Sequence, residues 1–505
     1  MSDYSIASGT PYLSIASSQI RHIDGVPDDD MDAIRQLLKV WRDHYPRNLL
    51  RSAFYDAKEQ FNNLGISIPN IVAQKAGIVV GWPQKSVRAL ADKSVFEGFE
   101  LPKGVDDHGI PELVDGNELT DSVGEAIISC YKHSCAFLTV DYDPEDPTGE
   151  RILITPRSAD WSAAIWDNTH RRIAAALTVT DNDRYGNMTS FNVWLPGRNY
   201  ACVKNGGSWT VTDIQTNKLD RVSVVPIVYD RQMGRPFGRS RINRALMNLT
   251  DMAMRTMVRM EASAEFYSVP KIWFLGLSKD AFSADTWNSL VSSINAVSRD
   301  QNGDIPTLQQ VTQASMQPHG DMLETIAMLA SSETDIPAEN LGIRLTNPTS
   351  AEALAASENQ LTRVANRQNR AFGVQLMNAM RIACQLRDNT DSPPDLTGIR
   401  PLWAPTREVS DAARADYYAK VAGVNADWGD SDVGLGMLGL NADELKSFRS
   451  YQARQRAQRN VDALKQRTAQ QEVTADGGQS TGVAGTATTA GSGVQGLPDQ
   501  SGQPD

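Results

Sequence analysis

The string Gly234-Arg-Pro-Phe-Gly-Arg-Ser240 is the first candidate for chemistry, because it is glycine-rich and runs into a helical pattern. A phosphate-cradling loop must end in Gly-Lys-Ser/Thr, so that the lysine reaches phosphate and the hydroxyl reaches Mg²⁺. Arg239-Ser240 does not supply that ending, and no other part of the sequence does. The string reads as a turn and helix start stiffened by Pro236. The same stretch is basic: Arg231, Arg235, Arg239, Arg241 and Arg244 follow one another closely. Two uses are open to them, contact with DNA phosphates or ion pairs across a subunit interface. The acidity of the whole chain favours the interface.

Other motifs fail on context. Residues 478–482 spell Gly-x-Ser-x-Gly, but a nucleophile elbow needs a strained strand-to-helix turn, and this copy lies in a low-complexity segment. His-Glu-x-x-His is absent. Cys130, His133 and Cys135 are close enough to suggest zinc, yet no second ligand pair follows. They are expected to be ordinary buried residues where a helix turns into a strand. The acids Asp141, Asp143, Glu145 and Asp146 flank prolines and read as solvated loop charge. No catalytic, cofactor or metal site is expected, and the chain is read as a non-enzyme.

Composition agrees with a large globular protein. The 505 residues are 41% hydrophobic and 22% charged, enough to bury a sizeable core over about three domains. The longest apolar stretches, such as residues 222–229, are far shorter than the roughly 18 residues of a membrane span. The start, MSDYSIASGT, lacks the pattern of a secretory signal, and the four cysteines fit a reducing compartment. A cytoplasmic site of synthesis and no membrane partner are expected. The net charge of −12 argues against a broad basic surface that grips nucleic acid through phosphate neutralisation. An acidic wall along which nucleic acid slides is compatible with it.

The elements that would position these residues change type along the chain. Asp28, Asp29, Asp30 and Asp32 open a helix with apolar Met31, Ile34, Leu37, Leu38 and Trp41, expected to stop before Pro46. Short helices are expected over 47–57, 84–93 and 118–132. Short β-type runs follow at 136–142, 152–155, 174–180, 190–195, 201–204, 209–214 and 223–229, separated by turn sequences, which predicts antiparallel sheet. A helix over 240–267 carries one apolar stripe, a mixed insert follows to 319, and a shorter helix spans 321–334. Thr349 with Glu352 forms a capping-box signal for a helix reaching about 387, with Gly373 as a kink candidate. Helices over 408–421 and 441–471 come next, the latter with Asn441 as cap. A glycine-rich tail without Lys or Arg, from Glu472, is expected to be disordered.

Several segments together resemble the portal proteins of long-tailed phages, in particular those infecting actinobacteria. They are Asn63-Leu-Gly-Ile-Ser-Ile-Pro69, Val79-Val-Gly-Trp-Pro83 and Phe96-Glu-Gly-Phe99, then Arg231 through Ile242. Leu323-Glu-Thr-Ile326, Glu333-Thr-Asp-Ile-Pro337, Leu341-Gly342 and Asn347-Pro-Thr-Ser-Ala-Glu-Ala-Leu354 complete the set. Their order and spacing over about residues 30–450 carry the likeness.

The resemblance implies an α+β portal-type fold: an N-terminal arm and mixed α/β wing (1–239), a first stem helix (240–268), an inserted clip (269–319) and a second stem helix (320–336). A channel loop (337–348), a long wing helix with its return (349–406), a helical crown (407–471) and the disordered acidic tail (472–505) complete it. It implies a homododecameric ring at one capsid vertex of the virion, assembled in the host cytoplasm. Its partners would be the terminase motor, a head–tail adaptor, major capsid and scaffold proteins, and double-stranded DNA passing without sequence specificity. The second stem helix would offer Asp321, Glu324, Ser331 and Asp335 to the channel, opposite Met322, Ile326 and Leu329, unless this is merely a solvated face. In the loop, Arg344, Thr346 and Asn347 would meet the DNA backbone, unless the loop instead packs on adjacent subunits. A capsid-assembly or scaffold-type protein without a DNA channel is the alternative.

Overall fold

Asp28, Asp29 and Asp30 begin the first helix, α1 (Asp28–Tyr55), at its positive dipole end. Asp30 is buried and accepts hydrogen bonds from the Arg198 guanidinium (2.7 Å) and the Tyr200 hydroxyl (2.6 Å), tying the helix to a strand. The expected break before Pro46 does not occur, and one helix runs through the proline to Tyr55. An interior proline costs about 3 kcal/mol through a lost backbone bond and steric crowding. Anchors on both sides offset that cost. The Tyr45 hydroxyl accepts from the Leu13 amide (2.7 Å), Trp41 Nε1 donates to the Asp160 carbonyl (2.9 Å), and the Asn48 amide donates to the Ala159 carbonyl (2.9 Å).

The computed structural model describes residues 13–58, 77–102, 104–146, 151–268, 272–275, 307–310, 315–342, 351–407, 411–440 and 442–475. They fall in two compact units, Met1–Arg407 and Glu408–Asp505. In the first unit α1 is followed by α2 (Trp82–Ala91), β1 (Phe96–Glu100), α3 (Ile110–Gly116) and α4 (Leu119–His133). Then come β2 (Cys135–Tyr142), β3 (Ile152–Ser158), β4 (Ser162–Asp167), β5 (Arg172–Asn182), β6 (Met188–Leu195), β7 (Arg198–Asn205), β8 (Ser208–Thr216) and β9 (Val224–Val228). Strands β4 to β8 form a five-stranded meander in chain order, while β3, β2 and β9 form a second antiparallel sheet. Helix α1 and the segment before it bury Leu13, Ile23, Ile34 and Trp41 against the meander. Phe137, Ile173, Trp194 and Val222 share a core in which residues of both sheets meet. The mixed α and β class with antiparallel sheets is as expected. Strand β4 is an addition, and its Ser-Ala-Ala start lacks the β-branched signature of a strand.

Next come α5 (Arg244–Ser268), β10 (Ile272–Leu275), β11 (Thr307–Gln310) and α6 (Gln317–Thr334). Strands β10 and β11 pair antiparallel, so a strand pair is inserted between two helices that pack on each other through Leu246, Ala253, Met254, Ile326, Ala327 and Ala330. Helix α5 starts later than residue 240 because Ser240–Asn243 are held outside it. Ser240 Oγ donates to the Lys132 carbonyl (2.6 Å), and Asn243 Oδ1 accepts from the Leu246 amide (2.9 Å) as a cap would.

Helix α7 (Ala351–Arg387) is about 55 Å long at 1.5 Å per residue. Thr349, the expected cap, lies outside the described residues. The helix passes unbroken through Gly373, whose role is close contact: an added Cβ would stand 2.5 Å from Pro401 Cγ. Pro401 belongs to β12 (Arg400–Trp403), which pairs antiparallel with β1 and closes the unit over the sequence between them. Leu361, Phe372, Leu376 and Met380 of α7 join α4, β2, β3 and β9 in the largest core. Strands β1 and β12 were invisible in the sequence, since Gly98 and Pro401 interrupt them.

The second unit is helical: α8 (Asp411–Val424), α9 (Ala426–Gly429), α10 (Asp432–Met437) and α11 (Ala442–Ala475). Asn425 and Ser431 cap the two short helices by accepting from the Trp428 and Gly434 amides. Helix α11 extends past Glu472, where the tail was expected to begin, because nothing breaks the helix before Gly477. Asn441, its expected cap, and residues 476–505 lie outside the described residues.

Candidate functional site at the base of the helical hairpin

Between β9 and α5 the backbone turns a corner that only glycine fits. Gly238 has φ 66°, and a Cβ there would collide with the Tyr229 carbonyl and press on Val228. The glycine of the phosphate-loop-like string therefore serves backbone packing. Arg239 N then donates to the Tyr229 carbonyl (3.1 Å), and Arg241 N to the Tyr131 carbonyl (2.9 Å).

Arg241 is buried, and its donors are spent inside the chain. Nε donates to the Ser86 carbonyl of α2 (2.7 Å), one Nη to the Thr334 carbonyl at the end of α6 (2.6 Å), and the other to the Tyr229 hydroxyl (3.1 Å). Among the described residues no carboxylate pairs with it. Its charge sits instead at the negative end of the α6 dipole, where the last carbonyls lack partners within the helix. Of the five arginines singled out in sequence, this one is a structural hub. Arg231 lies over the Trp166 ring, 4.3 Å from its centroid.

Arg235, Arg239 and Arg244 line an open cleft of 1210 Å³ together with His44, Arg47 and Arg51 of α1. Asp251 is the sole carboxylate among its described lining residues. Burial, with the charge of Arg47 beside it, brings Arg51 down to about 10 and pulls His44 below its usual range. Burial is the larger cause of both shifts, and the neighbouring Arg47 charge adds to it. Arg47 and Arg51 were not singled out in the sequence: the helix expected over 47–57 already sets them one turn apart on one face, but only the fold brings that face to Arg235, Arg239 and Arg244.

At the cleft wall His133 Nε2 lies 3.0 Å from Asp160 Oδ2. Burial pushes the His133 pKa down. Burial opposes ionisation of Asp160 too, but the His133 contact holds it below the usual carboxylate range. The pair is a neutral imidazole donating to a carboxylate. Burial also pushes the Cys135 thiol up to about 12 and raises Cys130, so these are packed thiols at a helix-to-strand turn. Among the described residues no group of three or more His, Cys, Asp or Glu is placed to hold a metal.

Asp141 and Asp143 are not solvated loop charge. Asp141 sits on β2 and accepts from Trp194 Nε1 (2.7 Å) and the Asn199 amide (2.9 Å), linking the two sheets. Burial drives its pKa up to about 6 against the pull of those donors. Asp143 is buried and pairs with Arg151 (3.3 Å).

On α6, Asp321 and Glu324 are exposed. Ser331 Oγ donates to the Ile336 carbonyl (2.6 Å), and Asp335 lies past the helix end with φ 57°. Met322 and Leu329, expected on the opposite side, are exposed as well. The packed stripe is Ile326, Ala327 and Ala330, whose small alanines let α5 approach closely. Arg344, Thr346 and Asn347 lie outside the described residues.

The model of the family "Phage portal protein, SPP1 Gp6-like" matches residues 35–426. The portal protein of Mycobacterium phage D29 is 25% identical over 400 residues, covering 77% of this chain and 81% of its own. That of Mycobacterium phage L5 is 26% identical over 385 residues, covering 74% and 78%. Among solved structures, a chain in the neck of a native GTA particle aligns at a TM-score of 0.39 and 13% identity, covering 75% of this chain and 91% of that one. This chain belongs to the SPP1 Gp6-like family of phage portal proteins.

Proposed function

We propose that this portal protein forms a closed, twelve-fold ring at one capsid vertex of a phage virion and carries double-stranded DNA during packaging and ejection, without being an enzyme. Family membership over residues 35–426 supports the reading, and the helix, strand pair, helix unit of α5, β10–β11 and α6 is the feature that carries it. In this assignment α5 and α6 are the stem, the strand pair belongs to the clip that docks the terminase and later a head–tail adaptor, and the Glu408–Asp505 unit is the crown. Capsid and scaffold proteins surround the ring as it assembles in the host cytoplasm. The arginine cleft receives an acidic face of the neighbouring subunit, since one Asp cannot balance its cations. Asp321 and Glu324 face the channel and keep phosphates from sticking, while Arg344, Thr346 and Asn347 reach the DNA backbone from the loop after α6. Heterologous contacts that close on themselves give cyclic symmetry. Light scattering and negative-stain microscopy at micromolar concentration should show rings with a hole that admits a duplex. A stable monomer at every salt concentration would refute the proposal.

A further inference from the structure

A second groove, of 720 Å³, runs between the middle of α7 and the segment from Arg400 to Arg407. It exists because Gly373 lets Pro401 lie against the helix, leaving a channel alongside the contact. Arg370, Arg381, Arg400 and Arg407 line it, and among the described residues no Asp or Glu does. Some arginines elsewhere in this acidic chain find carboxylates, as Arg198 does with Asp30 and Arg172 with Asp220. None of these four lies within ion-pair distance of a carboxylate among the described residues.

The lining between the arginines is apolar. Val374 is 58% exposed there despite its size, beside Met377 and Pro401. Two lining side chains also keep buried polar atoms with no hydrogen-bond partner: both amide atoms of Asn369, which is 4% exposed, and Nε1 of Trp403. Buried polar groups are nearly always paired, so such atoms call for an explanation.

We infer that this groove docks an extended acidic segment of a partner protein, with an apolar side chain on Val374 and carboxylates on the surrounding arginines. Carboxylates match the guanidinium fork. A peptide group offers one N–H and one C=O, the complement of the unpaired Asn369 amide, once neighbouring side chains give way to it. Nucleic acid fits less well, because a phosphate backbone has nothing to place on Val374 or to donate to Asn369 Oδ1. A volume of this size suits a few side chains. The inference does not depend on the ring.

The probe is a fluorescein-labelled synthetic peptide alternating aspartate with leucine, titrated into the assembled full-length protein and followed by anisotropy and by hydrogen exchange over residues 366–381. Saturable binding should appear, protect those residues and weaken with salt, and a peptide with lysine for aspartate should not bind. Arg370→Ala and Arg407→Ala should each weaken binding about tenfold, and the Arg370→Glu/Arg381→Glu variant should prefer the lysine peptide. Retained assembly and melting temperature would show that these surface changes leave the fold intact. Three results would overturn the inference: no arginine-dependent peptide binding, protection by a short DNA duplex or inorganic phosphate but not by the peptide, or protection produced by assembly alone, which would make a second copy the occupant.

Discussion

Replacing Arg241 should loosen the joint between the helical hairpin and the rest of its unit. The guanidinium holds the Ser86 carbonyl, the Thr334 carbonyl and the Tyr229 hydroxyl at once. Hydrogen bonds from a charged donor contribute about 1.5–3 kcal/mol each. Arg241 has no carboxylate to offset its own desolvation, so the net loss in Arg241→Ala should be about 2–4 kcal/mol rather than the sum of three bonds. For a unit of this size that corresponds to a fall in Tm of roughly 4 °C. Arg241→Lys should give an intermediate loss, because one ammonium cannot span acceptors on α2 and α6. The effect should also be local, with faster hydrogen exchange at the last turn of α6 and in α2. Calorimetry and hydrogen exchange on assembled protein would measure both, with Lys39→Ala as the exposed control, expected to change stability by less than about 0.5 kcal/mol. An Arg241→Ala protein that melts and exchanges like Lys39→Ala would refute the account of Arg241 as a hub.

Gly238→Ala combines an unfavourable positive φ with a collision against the Tyr229 carbonyl. It should cost on the order of 3 kcal/mol or more, seen as a lower denaturation midpoint or loss of soluble protein. Asp141 is an acid whose folded pKa, about 6, lies above its ordinary value. Its ionisation therefore opposes folding, and the penalty grows as pH rises from about 4 to 6. Asp141→Asn keeps an acceptor for Trp194 and Asn199, so its stability relative to the parent should improve by up to roughly 3 kcal/mol between pH 3.5 and 7. Urea titrations across that range would check the sign, and a flat difference would exclude the shift. Asp321→Lys with Glu324→Lys should leave rings intact but raise DNA retention at low salt and slow packaging; unchanged retention would remove that face from the channel. Arg344→Ala should spare assembly and Tm while impairing packaging or retention of DNA, and loss of the ring instead would place Arg344 at a subunit interface.

Periodicity in the sequence was enough to find the elements whose partners are local or whose pattern is strong. The apolar stripes of α5 and α7 and the alternation of β5 to β8 all lie close to where they were read, because one face of each is buried in a core. Spaced segments from Asn63 to Leu354 carried the family likeness. What sequence did not contain was any decision made by contact between distant segments. Pro46 stays inside α1 because Leu13, Ala159 and Asp160 supply anchors from elsewhere. Strands β1 and β12 exist because they pair with each other, despite a glycine in one and a proline in the other.

The same holds for the arginines. Arg231, Arg235, Arg239, Arg241 and Arg244 looked alike in sequence as one basic run. Tertiary structure buried Arg241 among carbonyls, laid Arg231 on Trp166, and gathered Arg235, Arg239 and Arg244 with Arg47 and Arg51 in one cleft. Residue type fixed the charge of each side chain. Its role depended on the acceptors, rings and like charges brought beside it, and folding alone set those neighbours.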